Sequence, residues 1–271
     1  MDANGFAELH RHGCFLLPNA WDAGSARMLV AAGFPAIATT SAGVAFSLGL
    51  PDHGYGGRVE RDPMLQRVKE IVDAAAVPVS ADLEDGYGES PEAVAETITM
   101  TIAVGAAGGG IEDFTGDSSQ PLYQRELAID RIRAAREAVD RSPKTFVLVG
   151  RTDGLLVGAP LDECIDRANA YLEAGADCAF VPGAADPDTI SRLVAELNGP
   201  LNVVMGLSGN RLTLKELADL GVRRVTVGGS IVRALYEHLR RAARELHDQG
   251  TFTYADQQIP QSELNAIFSS R

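Results

Sequence analysis

The chain has 271 residues, 45% hydrophobic and 23% charged, enough apolar content for one large α/β domain or two small ones. Its net charge of −13, with no basic stripe carrying interleaved aromatics, excludes a nucleic-acid binder, because phosphate binding needs a basic surface. No run of about 18 apolar residues could span a membrane. The N-terminal apolar stretch is too short and too broken for a signal peptide, so a cytoplasmic protein is expected.

In chain order, strand candidates fall at 14–20, 36–43, 78–84, 108–113, 145–153, 177–183, 201–206 and 223–229. Most are continuously apolar, as strands buried on both faces are. Helical patterns lie between them at 23–32, 62–76, 90–104, 128–140, 161–174, 187–197 and 213–220. Several end in a glycine just before the next strand, and Ser90-Pro91 opens one helix as cap and first residue. Eight such β/α units predict a (β/α)₈ TIM barrel. No G-x-G-x-x-G opens the first helix, which disfavours an open dinucleotide-binding sheet, and GAAGGG (105–110) reads as a helix cap and strand entry. No linker divides residues 1–271, so a single domain is expected, with 230–271 as a helical extension: a long helix over 230–249 and a short one near 262–268. Cys14, Cys164 and Cys178 match no metal or redox spacing and read as reduced core thiols.

In such barrels the chemistry sits at the C-terminal ends of the strands. Asp82, Glu84 and Asp85 crowd the end of the third strand candidate, and Glu112 ends the fourth. Asp82 and Glu84 share a face by the two-residue period, and Glu112 can reach the same place from the next strand. Three carboxylates without thiolate or imidazole suit a hard divalent cation, Mg²⁺ (or Mn²⁺), or else form a solvated acidic rim. Arg151 can pair with those acids or grip a substrate carboxylate. Ser41, Ala42 and Gly43 can present backbone N–H groups to an anion, and Asn202 stands near another strand end. Of Asp52 and His53, in the loop PDHGYGG, Asp52 is the stronger candidate. His10, His12, His238 and His247 fall on probable helices away from the mouth and read as solvated.

NAWDAGSA, TTSAGVAFSLGLPD, SADLEDGYG, GGGIED and GRTD follow one another at successive strand ends. Together they resemble the isocitrate lyase/phosphoenolpyruvate mutase superfamily over roughly the first 230 residues, with D-x-[DE]-x-G-Y-G the most specific motif. The resemblance implies a Mg²⁺-binding barrel that makes or breaks a bond beside the carbonyl of a small 2-oxo or 2-hydroxy carboxylate, through an enolate. It assigns Asp82, Glu84 and Glu112 to the metal, Ser41, Ala42, Gly43 and Arg151 to the substrate, and Asp52 to the neighbourhood of the reacting atoms. It also implies that the C-terminal helices swap between subunits of a homo-oligomer, a dimer or tetramer.

Two departures stand out. After the fourth strand the chain reads EDFTGDSSQPLY, with neither the lyases' Lys-Lys/Arg-Cys-Gly-His nor the phosphonate enzymes' Lys-Thr-Asn, and Thr39 stands where those branches carry Tyr or Trp. Asp85 replaces a residue that is often neutral and adds charge beside the metal. The expectation is therefore a carbon–carbon lyase or decarboxylase, with phosphonopyruvate hydrolase-like P–C cleavage, or metal-dependent binding of a 2-oxo acid with little turnover, as alternatives. Residues 114–123 read as a mobile lid.

Overall fold

All strand pairings in the sheet are parallel. The computed structural model describes residues 1–207, 209 and 212–269. Within them the strands are β1 (Phe15–Leu17), β2 (Asn19–Ala20), β3 (Ile37–Thr39), β4 (Val79–Asp82), β5 (Gly108–Glu112), β6 (Val147–Arg151), β7 (Cys178–Phe180), β8 (Leu201–Val204) and β9 (Arg224–Thr226). Their order is β1-β9-β8-β7-β6-β5-β4-β3-β2. β1 and β2 are one strand interrupted at Pro18, which has no N–H for a ladder bond. Because β1 pairs with β9 and β2 with β3, the sheet closes, and the TIM-type barrel expected from the eight β/α units is present.

Alternate residues of each strand face the helices and the lumen. Outward, Ala81, Leu83, Ile111 and Leu148 pack with Val94, Ile98 and Ile132 on one side, and Ala179, Val203 and Val225 with Ile165, Ile190 and Leu217 on the other. Inward, Ser80 and Asp82, Gly110 and Glu112, Val149 and Arg151, Asn202 and Val204, and Arg224 and Thr226 line one cavity. The bottom of the lumen is plugged by the helix Ala3–Glu8, whose Phe6 is wholly buried against Leu17, Ala36 and Val147. Burying a side chain of that size contributes about 1.5–3 kcal/mol.

Three expectations need correction. The second strand candidate, 36–43, ends at Thr39; Thr40 caps the helix Ser41–Ser47, its hydroxyl accepting from Gly43 N–H at 3.3 Å. A side-chain cap at Thr40 outweighs the β-like look of the run. The helix expected over 128–140 begins earlier, at Arg125. His10 is not solvated: it is buried edge-on to Phe6 and Phe15, and burial pushes its pKa down to about 4. His238 and His247 are exposed on the helix Ser230–Gln249. Cys14, Cys164 and Cys178 are free thiols.

That long helix buries Val232 and Ala242 and leaves Leu235, Tyr236, Leu239 and Leu246 exposed. The last helix, Gln261–Ser269, returns to Ala23–Ala31 of the same chain, where Arg27 Nη1 donates to the Phe268 carbonyl at 2.7 Å. Among the described residues no helix is long and apolar enough to cross a membrane.

Candidate active site

Asp82 closes β4. Its Oδ2 accepts from the Ser41 N–H at 2.9 Å and from the Ser41 hydroxyl at 2.8 Å, and its own N–H donates to Thr39 Oγ1 at 2.8 Å. Beyond it the chain turns through left-handed backbone at Glu84 (φ 50°), Gly86 (φ 83°) and Tyr87 (φ 62°). Left-handed conformation costs a non-glycine residue about 1–2 kcal/mol, so neighbours must hold the turn in place. The buried Arg131 does much of this: it donates to the carbonyls of Asp85, Gly88 and Glu89 and lies 4.1 Å from the Tyr123 ring centre. Asp85 does not add free charge beside the other acids. Its carboxylate is taken by Arg58, by Tyr123 Oη at 2.9 Å and by the Tyr87 N–H at 2.9 Å.

The remaining acids are buried. Burial pushes Glu84 up to about 8, outweighing His53 and Arg58. Arg58 Nε lies 3.0 Å from Glu84 Oε2 without hydrogen-bond geometry, which leaves that oxygen an orphan. Burial likewise holds Glu112 well above the usual carboxylate range against the pull of Arg151. Arg151 reaches Glu112 Oε2 through Nη1 at 2.9 Å and clasps Asp153 through Nε and Nη2 at 2.6 and 2.9 Å. Burial opposes its charge, but Asp153 and Glu112 prevail and keep its pKa above the usual arginine range. Asp153 is itself seated by its N–H on Asp113 Oδ1 at 2.9 Å, and Asp113 accepts from Tyr171 Oη at 2.7 Å.

A cavity of about 460 Å³ opens at this end of the barrel, lined by Ser41, Ala42, Asp52, Asp82, Glu112 and Arg151 among others. Asn202 also lines it, one strand from Arg224, with Nδ2 donating to Thr226 Oγ1 at 3.3 Å. Gly43 and Glu84 stand just off the cavity. A Cβ on Gly43 would come within 2.6 Å of Thr40 and 2.9 Å of Trp21, so glycine is required for that helix to seat. Burial, then Asp82, raises the Asp52 pKa. Among the described residues no group of three His, Cys, Asp or Glu side chains stands arranged to chelate a metal.

Sequence reasoning undervalued His53 and missed Arg58 and Arg224. His53 Nδ1 lies 3.7 Å from Glu84 and 3.6 Å from Glu112, in contact with the acids rather than in an outlying loop. Residues 114–122 fold over it as a closed hairpin, with Phe114 bridged to Leu122 and its ring edge-on to His53 at 5.3 Å. One signal was available: three carboxylates at a buried strand end demand a counter-charge, and Arg58 supplies it.

A closed parallel barrel with carboxylates, a clamped arginine and a serine at the carboxyl ends of its strands defines a TIM-barrel enzyme. The chain belongs to the phosphoenolpyruvate phosphomutase family, whose model matches residues 6–247, within the phosphoenolpyruvate mutase/isocitrate lyase superfamily. It is 36% identical over 264 residues to an uncharacterized protein of Mycobacterium tuberculosis (96% of this chain, 95% of that one). Identity is 31% over 254 residues to the 2-methylisocitrate lyase of Salmonella typhimurium (90% and 84%). It is 32% over 225 residues to the oxaloacetate decarboxylase of Rhodopseudomonas palustris (76% of each). A candidate lyase/mutase structure from Burkholderia cenocepacia superposes with TM-score 0.95 at 46% identity, covering 99% and 95% of the two chains. Oxaloacetate acetylhydrolase in complex with its product oxalate superposes with TM-score 0.87 at 28% identity, covering 98% and 93%.

Proposed function

We propose that the chain is a Mg²⁺- or Mn²⁺-dependent lyase or decarboxylase that cleaves a carbon–carbon bond of a small 2-oxo or 2-hydroxy carboxylate through an enolate. The observation that carries this reading is the convergence of Asp82, Glu112, Arg151 and Ser41 on one cavity mouth, with Glu84 behind them. Relatives named as 2-methylisocitrate lyase and oxaloacetate decarboxylase support it.

Asp82, Glu84 and Glu112 would hold the cation. Their all-oxygen donor set suits a hard ion, Glu84 Oε2 makes no hydrogen bond, and burial raises the pKa of both Glu84 and Glu112, so their ionised forms need compensation that a cation would supply. Since the three are not gathered for direct chelation, ligation partly through water fits, and Mg²⁺ keeps several waters. When bound, such an ion supplies Lewis-acid stabilisation of charge developing on a carbonyl oxygen.

The chain's own groups do the rest. Ser41 and Ala42, with Gly43 behind them, offer N–H groups and a hydroxyl to the substrate carboxylate, and Arg151 donates to its oxygens. Asp52, whose pKa is raised by burial and then by Asp82, stands at the mouth near the reacting atoms. The 114–122 hairpin excludes water. Its own candidate acids are engaged elsewhere: Tyr123 Oη on Asp85, and Asp117 on Ser119 at the surface. That favours decarboxylation, which demands less of a dedicated acid than retro-aldol cleavage. The exposed stripe on the long C-terminal helix is the contact of a homo-oligomer, a dimer or tetramer.

The test is a screen of oxaloacetate, 2-methylisocitrate, 2,3-dimethylmalate and phosphonopyruvate with Mg²⁺ or Mn²⁺ against EDTA, following pyruvate, glyoxylate and phosphate. Metal-dependent pyruvate or glyoxylate release is expected. Phosphate from phosphonopyruvate alone would move the reaction to the P–C bond. Metal-dependent oxalate binding without turnover of any compound would make the chain a binder.

A further inference from the structure

Arg224 crosses the floor of the barrel with its charge unopposed. It stands on β9, in register with Phe15 of β1 and Asn202 of β8, and its Nη2 donates across the lumen to Ser80 Oγ of β4 at 3.1 Å. The residue is 5% exposed, and its Nε and Nη1 have no acceptor. Asp82 is the one carboxylate that acts on it at all among the described residues, from the layer above, and it makes no ion pair with it. Burial lowers the Arg224 pKa only to about 10, so the group stays cationic at neutral pH. A buried cation without a partner is costly, and folds keep one where something else supplies the counter-charge.

The cavity gives that counter-charge a place. Arg224 lines the same space as Asp82 and Arg151. The wall facing it is built of small residues, Ala38, Ser80 and Gly110; a Cβ on Gly110 would meet nothing nearer than 3.7 Å. The lining also includes the apolar Val149, Phe180 and Val204 and the polar Asn202 and Thr226. Ser80 precedes Asp82 by two residues, so the floor lies one inward layer, about 7 Å, below the Asp82 carboxylate.

We propose that Arg224 is a second anion subsite: it receives the distal carboxylate of a substrate whose first carboxylate is held at the mouth by Ser41 and Arg151, so the cavity selects dicarboxylates of about four carbons over monocarboxylates. This rests on the reading of the mouth proposed above. Arg224 thereby sets specificity and takes no part in bond cleavage.

Succinate and butyrate have the same length and differ by one carboxylate against a methyl group, so the ratio of their affinities isolates the floor. Calorimetry on the full-length protein, in Mg²⁺ and separately in EDTA, is expected to favour succinate by about tenfold or more. Arg224→Gln should bring the ratio close to one. Asn202→Asp, which sets a fixed carboxylate on the adjacent strand, should do the same and decides the matter if Arg224→Gln does not fold. A wild-type ratio near one in both conditions, or a ratio unchanged in the variants, would overturn the subsite and leave Arg224 a structural strut. Oxalate binding that ignores Mg²⁺ would instead overturn the reading of the mouth, while the ratio in EDTA still judges the floor.

Discussion

Ser41 donates twice to a single oxygen of Asp82, from its N–H at 2.9 Å and from its hydroxyl at 2.8 Å. The group expected to receive a substrate carboxylate is therefore turned onto a residue expected to hold the metal. A cation drawing on Asp82 frees Ser41 for the substrate, so metal and carboxylate should bind cooperatively, with a coupling of about 1–3 kcal/mol. Asp82→Asn keeps an acceptor for Ser41 while removing the charge. The fold should survive and Mg²⁺ binding should disappear; an unchanged calorimetric affinity for Mg²⁺ in that variant would refute the assignment.

Arg151 clasps Asp153 with two nitrogens and reaches Glu112 with the third. A lysine is a point charge and cannot make both contacts, so Arg151→Lys leaves a buried acid poorly paired. The expected loss in kcat/KM is about 2–5 kcal/mol. Near-normal kinetics with a lowered Tm would show that the residue serves the fold alone.

Glu84 is pushed up to about 8, first by burial. A carboxyl with a raised native pKa binds more protons folded than unfolded, so its protonated form stabilises the metal-free protein at low pH. That contribution is fully present below the unfolded value of 4.5 and is lost as pH rises through about 8. Metal-free protein should therefore melt at lower temperature at pH 8 than at pH 6. Mg²⁺ competes with the proton, so its affinity should rise over the same window and its binding should release protons. Melting and titration calorimetry across pH 5–9 check both; a flat profile, or one matched by Glu84→Gln, would refute the assignment to Glu84.

Gly116 has φ 79°, and a Cβ there would lie 2.6 Å from His53 Nε2. Gly116→Ala should strain the hairpin by about 1 kcal/mol through the backbone alone and lift it from His53. Hydrogen exchange over 114–122 should speed up, and kcat should fall more than global stability does. In the wild type, a 2-oxo acid with Mg²⁺ should protect these amides. Equal protection with and without ligand would argue that the hairpin is no lid.

The barrel was legible because its signals are local and periodic: apolar strand runs, glycine caps, and acids recurring at strand ends. Pro18 splitting the first strand and Thr40 ending the second were harder, since each turns on a single backbone or side-chain hydrogen bond. At the site, Asp82, Glu112 and Arg151 were readable because each ends a strand. His53 and Arg58 were not, because the 52–58 loop reaches the acids by tertiary packing against Phe114 and Tyr87. Arg224 hid in an apolar strand, where one charged residue looks like an outward-facing exception.

The long C-terminal helix bears on assembly. Leu235 and Leu239 are 54% and 58% exposed, and with Tyr236 and Leu246 they form one stripe at helical spacing. The barrel already has its bottom plug in Phe6 and its outer cover in the helices between strands; Tyr236 reaches back to its own chain, its Oη donating to the Phe46 carbonyl at 2.9 Å, while the leucines of the stripe stay exposed. Contiguous apolar surface of that kind marks an interface in soluble proteins. The full-length chain should scatter light as a dimer or tetramer at micromolar concentration. Leu235→Glu with Leu239→Glu should shift it toward monomer with the barrel intact by circular dichroism, and truncation after Gly229 should aggregate, because it also removes Val232 from its packing with Trp21 and Val44. A wild-type chain that stays monomeric under those conditions would show that the stripe meets only water.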